Sequence, residues 1–288
     1  MKIVVLGAGG RLGAALAREF ATQHEVTGFT HAQLDFAQLD HLRSTLAPRP
    51  FDVLINAAAL TNVDHCEDHR DEAMLLNAEA PRVLAEICRA EGRRFIHIST
   101  DYVFDGEKRS PYTEDDPAEP ISVYGESKRA GEVRVLDANE RALVIRVSWV
   151  FGPDRPSFVD AILKKARTEE QVAAVADKFS TPTYTPDIAT MLRPLLESAS
   201  AAGILHLANR GECSWQEYAQ WALDCCHKLG LPMRARTVGA VSLGEMKNFV
   251  ARRPVYTVLG TEKYERLTGT PPRDWREAVA DYVGAHYR

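Results

Sequence analysis

Continuous apolar runs recur through the first half of the chain, each ending in small or polar residues and followed by a stretch with helical spacing. Ile3–Leu6 ends in glycines, and Leu12, Leu16 and Phe20 behind it repeat on one face of a helix. Glu25–Phe29 is the expected second strand. Val53–Ile55 ends in Asn56-Ala57-Ala58-Ala59, Phe95–Ile98 in Ser99-Thr100-Asp101, and Leu143–Val147 in Ser148-Trp149. Between them Ala80–Ala90 carries Val83, Leu84, Ile87 and Cys88 on one side. Apolar runs without alternation predict strands buried on both faces, hence a parallel sheet. Strand alternating with helix predicts an α/β, Rossmann-like doubly wound fold.

Beyond Trp149 the rhythm loosens. Pro153, Pro156, Pro182, Pro186 and Pro194 punctuate shorter elements. Trp215–Leu229 predicts an amphipathic helix, and a last helix around Trp275–Tyr287 carries Val279, Tyr282, Val283 and His286 on one stripe. Residues 1–150 are therefore expected to form the sheet domain, with 183–208 returning to it. Residues 151–182 and 209–288 are expected to form a smaller C-terminal lobe. There are no repeats and no low-complexity segments.

Two patterns carry chemistry. Gly7, Gly10 and Gly13 follow the first strand and open a helix, where glycines let the backbone approach a pyrophosphate at the positive helix end. A glycine-rich turn without a ligand is the plain alternative; the strand before it and the helical repeat behind it favour dinucleotide binding. NAD-binding units carry an acidic residue at the end of the second strand for the adenosine ribose, but this chain shows Phe29-Thr30-His31. A 2′-phosphate is then not repelled, and Arg11 in the glycine turn is positioned to meet it, which favours NADPH over NADH. The second pattern is Tyr124 and Lys128, four residues apart and so on one face of a helix. The ammonium is expected to lower the phenol's pKa, and the phenol to pass a proton to a carbonyl oxygen as hydride arrives.

Composition narrows the class. At 288 residues, with 45% hydrophobic and 26% charged residues, the chain is long enough for a full core and ordinary for a globular protein. A net charge of −5 without a basic run argues against a nucleic-acid surface. No apolar stretch approaches the roughly 20 residues needed to span a bilayer, and Met1-Lys2 leads straight into a strand, leaving no room for a signal peptide. The 5 cysteines show no Cys-x-x-Cys spacing and there is no Asn-x-Ser/Thr acceptor, as expected of a reduced cytoplasmic enzyme. Asp64-His65-Cys66-Glu67-Asp68-His69 is too consecutive to converge on a metal, and Cys225-Cys226-His227 lies within an amphipathic helix; no metal is expected from either. Glu114-Asp115-Asp116 reads as a solvated turn placed near the site's mouth.

With these residues on the page, the chain resembles the dTDP-4-dehydrorhamnose reductase family of extended short-chain dehydrogenases/reductases over nearly its whole length. Ser99-Thr100-Asp101-Tyr102-Val103-Phe104-Asp105-Gly106 is the most specific segment. Supporting it are Val53–Ala59, Asn77–Pro81, Tyr124–Lys128, Arg146–Trp149 with Gly152, Thr181–Thr183 and Arg252–Pro254. The resemblance implies NADPH- or NADH-dependent reduction of a nucleotide-linked 4-keto-6-deoxyhexose. Tyr124 would be the proton donor and Lys128 the cation holding the nicotinamide ribose, while Thr100 would bond the substrate carbonyl. It further implies Gly10, Arg11 and Leu12 at the pyrophosphate, Asp35 and Phe36 at the adenine, Ala57, Ala58 and Ala59 beside the cofactor, and Asp101 and Trp149 at the deoxysugar. The plain alternative for Trp149 is a core residue. Two departures fall in the substrate lobe: Tyr256 stands where the family carries Asn, and Lys178 where it carries Gln. Some members use Mg²⁺ at a glutamate-built dimer contact; those glutamates do not map here, so no metal is predicted, while a homodimer stays compatible. Competing readings are a sibling reductase, an epimerase, and a non-enzymatic subunit like that of methionine adenosyltransferase. The missing ribose carboxylate counts against the epimerase, and intact Thr100, Tyr124 and Lys128 against the regulatory subunit.

Overall fold

The structure, a computed structural model, describes residues 1–198 and 200–287. β1 (Lys2–Leu6), β2 (Glu25–Phe29), β3 (Val53–Asn56), β4 (Arg94–Thr100) and β5 (Leu143–Val147) join the strand Gly203–His206 in one sheet. All its pairings are parallel, in the order Gly203–His206, β5, β4, β3, β1, β2. The apolar runs are continuous because both faces are covered. Ile3, Val5, Val53, Ile55, Ile96, Ile98, Leu143 and Ile145 pack on one face against Leu16 and Phe20 of α1 (Arg11–Phe20) and Ile188 and Leu192 of the helix Thr185–Leu192. Their strand neighbours Val4, Leu6, Leu54, Phe95 and Val144 pack on the other against Leu42, Leu46, Val83, Leu84 and Ile87. That odd–even division is the period of two of a strand. β2, at the edge, is only half buried.

A second core lies beyond Trp149. The helices Phe158–Thr168, Trp215–Lys228 and Trp275–His286 bury Ile162, Leu163, Leu223, Val279 and Val283 against one another. A two-stranded parallel pair, Val172–Val175 with Val238–Val241, edges this lobe. The last sheet strand, Gly203–His206, falls within the stretch 183–208.

The chain turns from β1 to β2 on one side of the sheet and then to β3 on the other. This reversal opens a crevice at the carboxyl ends of β1 and β3, the place where doubly wound sheets bind ligands. The glycine turn follows β1 there, and Ala57–Ala59 follow β3.

Candidate active site

Gly7 makes the turn possible. Its φ is +76°, and a Cβ there would stand 2.8 Å from the Ala58 nitrogen and 2.9 Å from the Ala57 carbonyl carbon, so the ends of β1 and β3 meet only over a glycine. α1 then starts at Gly10 with no side-chain cap and no acidic residue in its first turn. Its first N–H groups face the crevice end without an internal partner, and the helix end is positive, which fits a phosphate. Leu12 offers only its N–H, because its side chain is in the core. Thr30 adjoins the turn: its methyl lies 3.4 Å from where a Gly9 Cβ would be, and its hydroxyl donates to Gln33 Oε1 at 2.9 Å. Phe36 packs in the core with Leu34 and Leu42, and Asp35 accepts the Ala37 N–H at 3.0 Å. These contacts make the pair a turn and a core residue and add nothing to the adenine expectation.

Arg11 requires a correction. Its guanidinium donates to the carbonyls of Arg155 (3.1 Å), Val150 (3.1 Å) and Pro156. Three carbonyls of one loop match the guanidinium fork, so Arg11 ties α1 to loop 150–156 and is not free for a 2′-phosphate.

Ser122 caps the helix Val123–Ala138, accepting from Gly125 N at 3.3 Å. The buried face of that helix is Tyr124, Ser127, Lys128, Gly131, Glu132 and Val135, spaced at helical intervals yet mostly polar. Buried polar groups need partners, and these have them. Ser127 Oγ accepts from Asn77 Nδ2 at 3.0 Å. Lys128 Nζ donates to the Ile98 carbonyl at 2.7 Å. Glu132 takes a two-pronged bond from Arg146 (2.8 and 2.7 Å) and the Ser99 hydroxyl at 2.6 Å.

Burial pushes the Tyr124 phenol well above its ordinary pKa, against the pull of its hydrogen bond with Thr100. Lys128 is not among the groups that shift it, so the expected lowering of the phenol by the ammonium is not seen; Ile98 holds that ammonium instead. Burial brings Lys128 down to about 8, opposed by Glu132. At neutral pH the phenol is therefore protonated and the ammonium charged.

Thr100 continues β4 into Asp101, whose carboxylate is buried. It accepts from the Thr100 hydroxyl (3.1 Å) and from Ser148 (3.1 Å), Ser180 (3.1 Å) and Thr257 (2.6 Å). Trp149 adjoins Ser148 and is the one non-glycine residue of positive φ among the described residues, at +37°. For a bulky aromatic that is a strained backbone. Its ring packs against Trp215 and Tyr218, and its Nε1 is buried without a partner. Thr100 thus touches both Tyr124 and Asp101, and Ser148, the neighbour of Trp149, meets the same carboxylate.

Several residues named in the sequence without a role in the site have one in the structure. Asn77 sits in a π-helical turn, Leu75–Glu79, and clasps Leu60 through both its amide groups (2.8 and 3.0 Å) besides meeting Ser127. A Cβ at Gly131 would lie 2.1 Å from the Asn77 carbonyl oxygen, so the two helices come this close only over a glycine. Asp64, in the run too consecutive to converge on a metal, accepts the N–H groups of Val250 and Ala251 (2.9 Å each) and pairs with Arg253 at 2.7 Å. Lys178 is fully buried, donates to the Pro254 carbonyl, and lies 5.1 Å from the Tyr102 ring. The signal available was the polar stripe itself: Ser127 and Glu132 share the face of Tyr124 and Lys128. Glu114 accepts from His206 N and Asp116 from Lys108 and Thr113, so that turn is tied down locally. A cavity of about 1420 Å³ opens at the amino ends of the strands by Lys2, Asp52 and Arg94, away from this chemistry.

A sheet of this topology with this Thr–Tyr–Lys site defines a reductase of the short-chain dehydrogenase type. The family described as RmlD substrate binding domain matches residues 1–288. A dTDP-4-dehydrorhamnose reductase of Mycolicibacterium smegmatis is 39% identical over 99% of this chain and 85% of its own. A probable dTDP-4,6-dihydroxy-2-methyloxan-3-one 4-ketoreductase of Streptomyces antibioticus is 38% identical over 98% and 94%. The crystal structure of dTDP-4-dehydrorhamnose reductase from Bacillus anthracis, in complex with NADP, superposes with a TM-score of 0.91 at 29% identity over 99% of both chains. The chain belongs to the dTDP-4-dehydrorhamnose reductase family.

Proposed function

We propose that the chain reduces the 4-keto group of dTDP-4-dehydro-L-rhamnose to give dTDP-L-rhamnose, with NADPH as reductant. The observation that carries this reading is the arrangement of the buried site: the Tyr124 phenol and Lys128 lie four residues apart on the buried face of one helix beside Thr100, with burial raising the phenol. Reduction of a ketone needs an acid that still holds its proton at working pH. NADPH, when bound, supplies the hydride to C4. Tyr124 gives its proton to the ketone oxygen, and Thr100 hydrogen-bonds that oxygen and steadies the phenol. Lys128 holds the nicotinamide ribose, and the hydrogen bond with Thr100 favours the phenolate left behind. The uncapped start of α1, at Gly10, Arg11 and Leu12, receives the pyrophosphate through N–H groups, beside Ala57–Ala59. Trp149 covers the apolar face of the hexose while its unpartnered N–H finds an acceptor, and Asp101, its carboxylate held by four hydroxyls, orients Thr100 towards the sugar.

A second reading, reduction of another dTDP-linked 4-keto-6-deoxyhexose, is favoured by the two departures from the family pattern. Both lie around Asp101: Lys178 two residues before Ser180, and Tyr256 next to Thr257. Offering purified protein each 4-keto sugar with NADPH and identifying the products separates the readings. The larger kcat/KM with a sugar other than the rhamnose precursor would favour the second. The same reading places the enzyme in the cytoplasm, which the five free, buried thiols support, and as a homodimer, which light scattering of purified protein would test.

A further inference from the structure

Since Arg11 is engaged elsewhere, some other group must recognise what distinguishes NADPH from NADH; this question rests on the reading of NADPH as the reductant. Loop 150–157 crosses the glycine turn and is fastened there. Arg11 holds its carbonyls at Val150, Arg155 and Pro156, and Arg18 pairs with Asp154. From this anchored loop the Arg155 side chain reaches back over the turn, its Nε donating to the Gly9 carbonyl at 2.9 Å. The side chain is exposed, and among the described residues no carboxylate pairs with it. Gly9 adjoins Thr30, the residue just beyond β2. In a doubly wound sheet the adenosine ribose lies at that strand end.

We propose that Arg155 is the specificity-determining residue for the 2′-phosphate of NADPH. The turn thus receives the pyrophosphate through α1, while a cation delivered from the substrate-lobe side of the chain meets the phosphate on the ribose. Three observations converge on this. The strand end lacks the carboxylate that would repel a phosphate. The guanidinium beside Gly9 and Thr30 is unpaired, with its two Nη groups still available as donors. Finally, its loop is already pinned in place, so little order has to be gained when the phosphate arrives. A guanidinium suits a phosphate because two of its N–H groups can meet two oxygens. Arg11 then acts as the strut that holds Arg155 in reach.

Calorimetric titration of the full chain with NADP⁺, NAD⁺, 2′,5′-ADP and 5′-AMP tests this without turnover. In Arg155→Gln, affinity for NADP⁺ and 2′,5′-ADP should fall about tenfold or more, as for one lost charged contact. Affinity for NAD⁺ and 5′-AMP should stay within about twofold, and Arg155→Lys should lie between. A parallel loss for NADP⁺ and NAD⁺ would make Arg155 a pyrophosphate or loop-supporting residue and overturn the assignment. No loss for either would overturn it too, leaving His31 as the next candidate. Should the wild type bind neither dinucleotide, the cofactor reading falls along with this one.

Discussion

Trp149 separates a site residue from a core residue by a measurable difference. Its φ of +37° is held against a cost of roughly 1–2 kcal/mol for a left-handed residue, and its indole N–H is buried with no acceptor. Trp149→Phe keeps the strain and most of the ring contact with Trp215 and Tyr218 while removing that donor. In the free protein the lost ring area and the removed orphan donor oppose each other, so stability should move by less than about 1 kcal/mol, or ~2–4 °C in Tm. With the sugar nucleotide bound, the wild type gains a hydrogen bond that the variant lacks, worth about 1–1.5 kcal/mol and therefore close to tenfold in kcat/KM. Steady-state kinetics, thermal melting and NADPH titration on the two proteins decide it. A fall of more than about 5 °C in Tm with kcat/KM within twofold would assign Trp149 to the core and refute the argument.

Lys178→Met should stabilise the protein. Burial lowers this ammonium from 10.5 to about 8, which at about 1.4 kcal/mol per pKa unit makes the charge cost about 3 kcal/mol at neutral pH. Loss of its bond to the Pro254 carbonyl returns about 1 kcal/mol, leaving a gain of about 1–2 kcal/mol in urea denaturation at pH 7. Because the folded wild type sheds this proton near pH 8 and the unfolded chain only near 10.5, its stability rises relative to the variant through that window, and the gap should close; a variant less stable at pH 7 would refute the reasoning. The kcat/KM profile should be level near neutrality and fall as Lys128 loses its proton at about pH 8, with no loss traceable to Tyr124 below that point. A profile still level at pH 9.5 would remove the Lys128 charge from the mechanism. Thr30→Asp should turn preference towards NADH through repulsion of the 2′-phosphate, and unchanged NADPH and NADH affinities would place the ribose elsewhere.

The sheet was legible because each buried strand leaves an unbroken apolar run with a helical repeat behind it, and burial on both faces erases alternation. Gly7 and the Tyr124–Lys128 spacing were legible for a similar reason, since a turn and a helix face are local. What sequence could not show is set by closure over long separations. Asp101 meets hydroxyls at 148, 180 and 257, and Asp64 meets residues near 250, with no periodicity linking them. Arg11 was misassigned because its place in the glycine turn says nothing of the loop at 150–156 that draws its side chain away. The Tyr124 phenol was expected to be lowered because spacing shows a neighbouring charge but not burial, and in this site burial is the larger effect.

The most direct test of the account follows NADPH oxidation by the purified protein given dTDP-4-dehydro-L-rhamnose, beside Tyr124→Phe under the same conditions. The account predicts one NADPH consumed per dTDP-L-rhamnose formed, and a fall of about 10²–10⁴-fold in kcat for the variant with NADPH affinity unchanged. Wild-type protein that binds NADPH and the sugar nucleotide yet consumes neither, or a Tyr124→Phe variant keeping more than half of the wild-type kcat, would contradict it.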